Sequence, residues 1–163
     1  MAGFHTKTFI EHDDYMTPKF AWENIQQFIP YNKIIWEAFY GDGTSGQYLQ
    51  DIGFSVIHDQ DDFFENDKGD IVVSNPPFSK SKEVLERLVK LNKPFILLLP
   101  SSKINTSYIR NLFKDQADKL QIIIPRRRIQ FIKNGNEKQN KCNFDCFYYC
   151  WKLHLEKDII WLN

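Results

Sequence analysis

Long apolar runs are scarce in this sequence of 163 residues. No uninterrupted apolar stretch approaches the roughly 20 residues that a membrane-spanning helix needs. The N-terminus also lacks the charged, apolar and small-residue succession of a signal peptide. We therefore expect an intracellular protein, cytoplasmic or nuclear, that is neither secreted nor held in a membrane.

Cysteine is equally sparse, and its pattern does not predict a metal site. Cys142, Cys146 and Cys150 are spaced four residues apart, and the four histidines are scattered along the chain. This spacing does not match the ligand pattern of zinc sites, so we expect no metal. It would suit one stripe of a helix, but the surrounding aromatic residues favour a strand with all three thiols on one face. We expect these thiols to be reduced and at least half-buried.

Net charge is absent, although the charges are not evenly distributed. Residues 1–70 carry 4 basic and 13 acidic residues, whereas residues 71–163 carry 17 basic and 8 acidic residues. A basic half suits a polyanionic partner, and an acidic half suits hydroxyl groups or a cationic ligand. The alternative is that both sets are solvated surface.

The length and the 42% hydrophobic content predict a single domain over residues 1–163. Strand and helix patterns alternate over residues 33–125, which predicts an α/β, Rossmann-like, doubly wound parallel sheet with helices on both faces. Residues 1–32 form an N-terminal segment, with Thr17 predicted as a helix N-cap and Pro18 as the first helical residue. Residues 126–163 predict an antiparallel C-terminal strand or hairpin and a last short strand.

Two consecutive prolines end an apolar strand in the middle of the chain. Asn75-Pro76-Pro77-Phe78 follows Ile71-Val72-Val73. Neither a strand nor a helix continues through a proline pair, so the backbone is rigid at this strand end. The carboxyl ends of strands in open α/β sheets are where ligands bind. The motif therefore predicts either a ligand site or only a stiff turn with a buried phenylalanine.

A glycine-rich turn, with Gly41, Gly43 and Gly46, follows the first predicted strand. Glycine allows positive φ and a close approach of backbone to a cofactor. Glu37 and Asp42 bring negative charge into the turn, which would repel a pyrophosphate but suits an ammonium or sulfonium group. Tyr40 lies in the same turn and would narrow the approach of a cofactor.

Acidic residues follow the second predicted strand. Asp59 is placed to accept hydrogen bonds from ribose hydroxyls. Asp62 and Phe63 could hold a purine by one hydrogen bond and stacking, or could be an acidic loop with one buried ring. Farther along the chain, Arg126, Arg127 and Arg128 are candidates for phosphate contacts, with Lys133 nearby, unless they are only solvated.

Taken together, these stretches resemble the class I S-adenosylmethionine-dependent amino-methyltransferases, most closely the DNA adenine N6-methyltransferases of the Asn-Pro-Pro-Phe type. The resemblance covers about residues 13–153 and keeps the family's motif order. It rests on Asp14-Tyr15 with Thr17-Pro18, Glu37-Ala38-Phe39 with Gly41-Asp42-Gly43, Asp59, Asp62-Phe63, Asn75-Pro76-Pro77-Phe78, and Arg128-Ile129 with Phe131.

The resemblance implies S-adenosylmethionine as cofactor and adenine in DNA as substrate. It assigns the target amine to the Asn75 oxygen and the Pro76 carbonyl within the catalytic motif that Pro77 and Phe78 complete, with Phe78 stacking on a flipped-out base. The implied cofactor-binding residues are Tyr15, Thr17, Pro18, Glu37, Phe39, Gly41, Asp42, Gly43, Asp59, Asp62 and Phe63.

Three alternatives stay open at this stage. The acceptor could instead be an RNA base amine or a protein glutamine amide, or the chain could be a non-catalytic methyltransferase-like subunit. The basic half favours nucleic acid, with DNA ahead of RNA. No insertion is long enough for a recognition domain, so we expect weak, unselective DNA binding by the isolated chain. Target recognition would then come from residues 126–143, from a homodimer or from a partner subunit.

Overall fold

The computed structural model of the chain describes residues 15–133 and 144–163. The strands are β1 (Tyr15–Met16), β2 (Ile35–Trp36), β3 (Val56–Ile57), β4 (Ile71–Ser74), β5 (Phe95–Pro100), β6 (Gln121–Ile124), β7 (Ile132–Lys133), β8 (Cys146–Trp151) and β9 (Ile159–Trp161). The α-helices are α1 (Lys19–Glu23), α2 (Thr44–Ile52), α3 (Ser81–Lys90) and α4 (Ser107–Phe113), and short 3₁₀ turns lie at Gln26–Phe28, Phe63–Glu65, Phe78–Lys80 and Ser101–Asn105.

A seven-stranded sheet in the order β3-β2-β4-β5-β8-β6-β9 forms the centre of the molecule. Its strands are parallel except β8, which pairs antiparallel with both β5 and β6. Helix α1 packs against α2, and α3 packs against α4. The predicted α/β fold class, a mostly parallel sheet with one antiparallel strand, is confirmed.

The winding direction of the sheet changes between β2 and β4. From β2 the chain passes through α2 to β3 on one side, and from β4 it passes through α3 to β5 on the other. Right-handed crossovers that run in opposite directions put α2 and α3 on opposite faces of the sheet. A crevice opens at such a switch point, outside the carboxyl ends of the strands, and this is where ligands bind in open α/β sheets.

Side chains from both faces of the central strands make up the core. All six residues of β5 are buried, as the apolar run Phe-Ile-Leu-Leu-Leu predicts for a strand covered on both sides. Helix α3 buries Val84, Leu85 and Leu88 at helical spacing and exposes Lys82 and Glu86. In β8, Cys146 and Cys150 are both buried, and burial raises the pKa of the Cys150 thiol. The predicted strand setting of these two cysteines is therefore confirmed.

One local prediction is wrong. Thr17 does not cap α1, because Pro18 holds the N-cap position and no side chain bonds the free amides there. Of the predicted C-terminal strand or hairpin, the antiparallel strand is confirmed, because β8 inserts between β5 and β6. Within the described ranges, β7 pairs with β1 and residues 126–131 are irregular. Asp14 and Cys142 lie outside the described residues.

A search of residues 15–133 and 144–163 finds no helix with the length and apolar character to cross a membrane. The same residues contain no group of three or more His, Cys, Asp or Glu side chains that could hold a metal ion.

The hydroxyl of Tyr148 joins β8 to α1, which makes it a test of how the N-terminal segment is held. This fully buried phenol donates a hydrogen bond of 2.6 Å to the Ala21 carbonyl. We expect Tyr148→Phe to lower the free energy of unfolding by roughly 1–2 kcal/mol, because a buried carbonyl loses its partner. Urea unfolding measures the change. Tyr31→Phe, at a ring that is 60% exposed, is the control and should change stability by less than about 0.5 kcal/mol; equal effects would contradict the assignment.

Candidate active site

Asn75 directly follows β4, and its side-chain amide is held in one orientation. The Nδ2 group donates a hydrogen bond of 3.2 Å to the carbonyl of Tyr15. Oδ1 is buried and has no hydrogen-bond partner in the described part of the chain. Buried polar atoms are nearly always paired, and turning the amide over would break the bond to Tyr15. Oδ1 is therefore suited to accept a hydrogen bond from a ligand N–H.

The two prolines turn the chain away from the sheet immediately after Asn75. Pro76 is buried, and Pro77 precedes the 3₁₀ turn Phe78–Lys80 with its carbonyl accepting from the Lys80 amide at 3.0 Å. The Ser81 hydroxyl then donates to the Phe78 carbonyl at 2.7 Å as α3 begins. These bonds fix the backbone on the C-terminal side of the motif.

The short strand β1 connects Asn75 to the glycine turn. Tyr15 supplies the carbonyl that Asn75 uses, and the Met16 sulfur lies 3.1 Å from where a Cβ on Gly41 would be. Gly41 and Gly43 both have positive φ, at 60° and 86°. The conformation that the sequence predicts for this turn is thus present, and β1 lies across it.

Glu37, at the end of β2, is a buried acceptor for groups from three segments. Oε2 accepts from the Ser45 hydroxyl of α2, while Oε1 accepts from the Ser74 hydroxyl of β4 and from the Phe39 amide at 3.1 Å. Burial raises the pKa of Glu37 from 4.5 to about 7, although the hydrogen bonds from Ser45, Ser74 and Phe39 lower it. With 1% exposure, Glu37 fixes β2, β4 and α2 together next to Asn75.

The indole of Trp22 extends this network to α1. Its Nε1 donates to the Ser45 hydroxyl oxygen at 2.9 Å, and Ser45 in turn donates to Glu37. Thr17, between β1 and α1, is 3% exposed, and no described residue bonds its Oγ1. The N-terminal segment therefore brings a second unpaired buried oxygen to the region of the glycine turn.

Tyr40 and His58 form one wall beside the glycine turn. Their rings stack with centroids 5.8 Å apart and planes 16° apart. The Tyr40 hydroxyl lies 2.8 Å from a Cβ built on Gly43, and the His58 ring lies 2.3 Å from one built on Gly46. A methyl group at either glycine would collide with this wall. Nδ1 of His58 is a third buried polar atom that no described residue bonds.

Asp59, predicted to bind ribose, has partners for both of its oxygens. Oδ1 accepts from the Asp61 amide at 3.1 Å, and Oδ2 accepts from the Lys68 ammonium at 2.7 Å. Burial acts to raise the pKa of Asp59, but the hydrogen bonds from Lys68 and the Asp61 amide, together with the positive charge of Lys68, outweigh it, and the pKa lies below its ordinary value. In this structure the Asp59 carboxylate bonds Asp61 and Lys68, which follow it in the chain. The contact with ribose stays a prediction.

Asp62 caps a 3₁₀ turn, and the next ring is part of the core. Asp62 Oδ1 accepts from the Phe64 amide at 2.9 Å. Phe63 is 1% exposed and contacts Trp36 and Phe39, with ring centroids 5.4 Å and 4.9 Å away. A cofactor adenine could reach the face of Phe63 only if this packing opened. Of the two rings, Phe64 is the one that stays half-buried at the surface.

Four aromatic rings lie together beside Asn75, and we refer to them as the aromatic cluster. Each ring contacts the other three, with centroids 5.5–6.5 Å apart. Phe78 and Phe131 are nearly fully buried in the cluster. Its members are Tyr15, Phe78, Phe131 and Phe144.

The predicted phosphate-binding residues follow β6, at the same edge of the sheet as Asn75. Arg128 is not available as a free cation, because its guanidinium forms two hydrogen bonds with Asp145, at 3.0 and 3.1 Å. Arg126 and Arg127 are exposed, and no ion pair with another described residue involves them. Lys133 lies in β7, where its backbone pairs with Tyr15.

The structure thus brings the motif Asn75–Phe78, the glycine turn and the N-terminal segment together at the carboxyl edge of the sheet. Phe39 and Asp42 complete that group: Phe39 is nearly buried, and Asp42 bonds the amide and hydroxyl of Thr44 at the start of α2. Sequence analysis missed Met16, Ser45, His58 and Phe144 as parts of the site. A signal existed only for His58, which directly follows an apolar strand.

The crevice has features that fit S-adenosylmethionine. Gly41 and Gly43 carry positive φ, two segments each bring one buried oxygen that no described residue bonds, and the surrounding carboxylates suit a cationic group. Residues that would hold it are Thr17, Gly41, Asp42 and Gly43.

Comparison with solved structures identifies the fold. A candidate class I S-adenosylmethionine-dependent methyltransferase from Listeria monocytogenes matches with a TM-score of 0.52 and 14% identity, over 95% of this chain and 67% of that one. A candidate RNA methyltransferase from Pyrococcus horikoshii gives a TM-score of 0.52 at 15% identity, over 93% and 92%. The fold is that of the class I methyltransferases. The chain belongs to the family described as adenine-specific methyltransferase EcoRI, whose model matches residues 21–162.

A curated relative agrees with this family. The Type II methyltransferase M.EcoRI of Escherichia coli is 37% identical over 65 residues, which are 40% of this chain and 20% of that protein. The chain therefore aligns with only about a fifth of that relative. The predicted membership in a family of adenine-specific methyltransferases is confirmed.

The buried carboxyl group predicts a pH-dependent difference between two variants. A folded-state pKa of about 7 against an ordinary 4.5 means that folding favours protonated Glu37, so stability from this group is lost as pH rises toward and through 7. Relative to Glu37→Gln, the wild type should lose roughly 2–3 kcal/mol of unfolding free energy between pH 5 and 8. Urea unfolding at both pH values measures the difference. Glu86→Gln, at an exposed position of α3, should show none; a pH-independent result at Glu37 would refute the assignment.

Proposed function

We propose that this chain transfers the methyl group of S-adenosylmethionine to the N6 amine of adenine in DNA. The observation that carries the proposal is the buried Oδ1 of Asn75, which no described residue bonds and whose amide is fixed by Tyr15. It lies at the switch point of a class I methyltransferase fold, in a chain of an adenine-specific family.

An exocyclic adenine amine is a weak nucleophile, because its lone pair is delocalised into the ring. Asn75 Oδ1 and the Pro76 carbonyl would accept its two N–H groups, drawing the nitrogen toward tetrahedral geometry and directing the lone pair at the methyl group. The chain's contribution is then mainly positioning and electrostatics. Rigid placement matters here, and the prolines after Asn75 provide it.

When bound, S-adenosylmethionine would supply an electrophilic methyl group: its S–C bond would break as the C–N bond to the amine forms, S-adenosylhomocysteine would leave, and water would take the amine proton. No strong general base is required of the chain, because the methylated amine is acidic. Glu37 would act through position alone, since its oxygens already accept from Ser74, Ser45 and Phe39. By holding Ser74, it fixes the residue that precedes Asn75.

We propose that the target base binds in the aromatic cluster. Phe78 is 6% exposed, so a base that stacks on it would take the place of a neighbouring ring. Tyr15 and Phe144 are the less buried members of the cluster. A flipped base would meet rings on more than one side, which favours a planar aromatic acceptor over a glutamine side chain.

Recognition of a target sequence is proposed to need a second copy of the chain or a partner subunit. Only residues 75–94 separate β4 from β5, and α3 with its preceding turn uses most of them. This leaves little chain for reading base edges near the site.

Replacement of Asn75 tests the central role. We expect Asn75→Ala to reduce methyl transfer by about 100-fold or more, a loss typical of one transition-state contact. Binding of S-adenosylhomocysteine, measured by calorimetry, should stay within a few-fold of wild type. Asn111→Ala, on the exposed side of α4, is the matched control and should leave turnover unchanged. Undiminished turnover in Asn75→Ala would sink the proposal.

Arg126 and Arg127, which form no ion pair with another described residue, test the nucleic-acid partner. We expect Arg126→Ala combined with Arg127→Ala to weaken DNA binding across sequences. The plot of log K against log salt concentration should become less steep, by about 1 per lost phosphate contact. Fluorescence anisotropy over a salt series measures both quantities. Lys33→Ala with Lys90→Ala removes two exposed charges from the opposite edge of the sheet and is the control. An unchanged slope in the arginine variant would rule out phosphate contacts there.

A side-by-side transfer of labelled methyl groups to DNA, RNA and protein identifies the acceptor. Transfer to DNA alone supports the proposal. Transfer to RNA or to glutamine would redirect it to the other planar amines that Asn75 could hold, and no transfer despite cofactor binding would indicate a non-catalytic subunit.

A further inference from the structure

One isoleucine side chain is exposed to solvent at the edge of the sheet that carries the site. Ile104 lies in the 3₁₀ turn Ser101–Asn105, directly after β5, and is 41% exposed. Since β5 is parallel to β4, this turn and Asn75 lie at the same edge of the sheet. An exposed large aliphatic side chain at that place has no role in the core.

Hydrogen bonding and helix packing place the turn beside the aromatic cluster. The Ser101 amide donates to the Asp145 carbonyl at 2.7 Å, and Asp145 follows Phe144 of the cluster. On the other side, α4 packs against both the turn and α3, and α3 begins at Ser81. Ser81 itself donates to the carbonyl of Phe78 at 2.7 Å. The turn is therefore tied to the neighbours of both Phe144 and Phe78.

The buried phenol of Tyr149 hydrogen-bonds to the backbone of the turn. The Tyr149 hydroxyl donates to the Pro100 carbonyl at 2.8 Å and lies 3.3 Å from the Ser101 carbonyl. The Lys103 carbonyl accepts from the Thr106 amide at 3.0 Å and from its hydroxyl at 2.7 Å. A turn bonded in this way presents Ile104 on a rigid support.

The surroundings of Ile104 suit a nucleic-acid duplex. Lys103 precedes it in the turn, Lys80 lies in the turn after Asn75, and Arg126 and Arg127 follow β6 at the same edge. Cations bind the phosphates, and an apolar side chain between them can enter a base step and unstack it. Extrusion of a base costs a few kcal/mol, and a wedge that fills the gap lowers that cost.

We propose that Ile104 is the residue that enters the DNA stack beside the target adenine and so holds the base in the aromatic cluster. Ile104 is a positioning residue: it touches the neighbouring bases and not the reacting amine. The inference rests on the proposed function, because it requires a base taken from a duplex.

The test compares acceptors that differ in the cost of extruding the base. On a duplex that the wild type methylates, Ile104→Ser should reduce turnover about tenfold or more. On the same strand alone, or on the duplex with an abasic site opposite the target, it should stay within about twofold of wild type, because little or no stacking and pairing opposes extrusion. Ile104→Met, which keeps an apolar wedge, should retain most of the duplex activity.

Ile34→Ser is the matched control, because Ile34 is 44% exposed and precedes β2 at the opposite edge of the sheet. It should leave all acceptors unchanged. Equal loss on duplex and single strand in Ile104→Ser, or no loss on either, would overturn the assignment of Ile104 while leaving the proposed function in place. A wild-type chain that methylates neither form would instead overturn the proposed function, and this inference with it.

Discussion

A carboxyl group with almost no access to water holds the two halves of the site in register. Glu37 directly follows β2, Ser74 ends β4, and Ser45 lies in the first turn of α2, so their hydrogen bonds join three segments that meet at the switch point. A buried carboxyl group is costly unless it is hydrogen-bonded or neutral. The raised pKa of Glu37 records that cost. Because Asn75 follows Ser74 directly, any movement of this carboxyl group would shift the motif relative to the glycine turn.

The same region explains why the N-terminal segment belongs to the site. Asn75 has two ends, and the Tyr15 carbonyl occupies the donor end. Without that bond, either end of the amide could face a ligand, and a donor facing the target amine would repel it. Strand β1 therefore selects the orientation of Asn75. It also covers Gly41 with the side chain of Met16. Its pairing with β7 holds it in place from the C-terminal part of the chain.

Sequence reasoning reached the convergence of the motifs because it depends only on topology. Parallel strands put their carboxyl ends at one edge, so Glu37 and Asn75 could be placed together from the strand pattern alone. Side-chain packing across long separations carries no such signal. The Met16 contact with Gly41 and the stacking of Tyr40 on His58 depend on side-chain directions that no local pattern encodes.

The errors have the same origin. The aromatic run of β8 predicts a strand, but not that it inserts between β5 and β6. Strand pairing between distant segments is decided by the whole sheet, and β7 therefore joins β1 instead of forming a hairpin. Thr17 has the residue type of an N-cap, yet the helix begins two residues later and no described residue bonds the Thr17 hydroxyl. In that case a departure from the local rule coincides with the candidate site, as expected where function competes with local preference.

Because β8 runs antiparallel to its neighbours, this one strand supports both the aromatic cluster and the turn after β5. Its first residues lie at the carboxyl edge of its neighbours, so Phe144 and Asp145 reach the aromatic cluster and the turn after β5. Successive residues of a strand face opposite sides of the sheet, and Tyr148 and Tyr149 use this alternation. Tyr148 holds Ala21 of α1, and Tyr149 holds the turn that carries Ile104. Burial raises the pKa of both phenols, so they are neutral donors at neutral pH. A parallel strand in this position would carry its first residues to the other edge, and the cluster would lose Phe144.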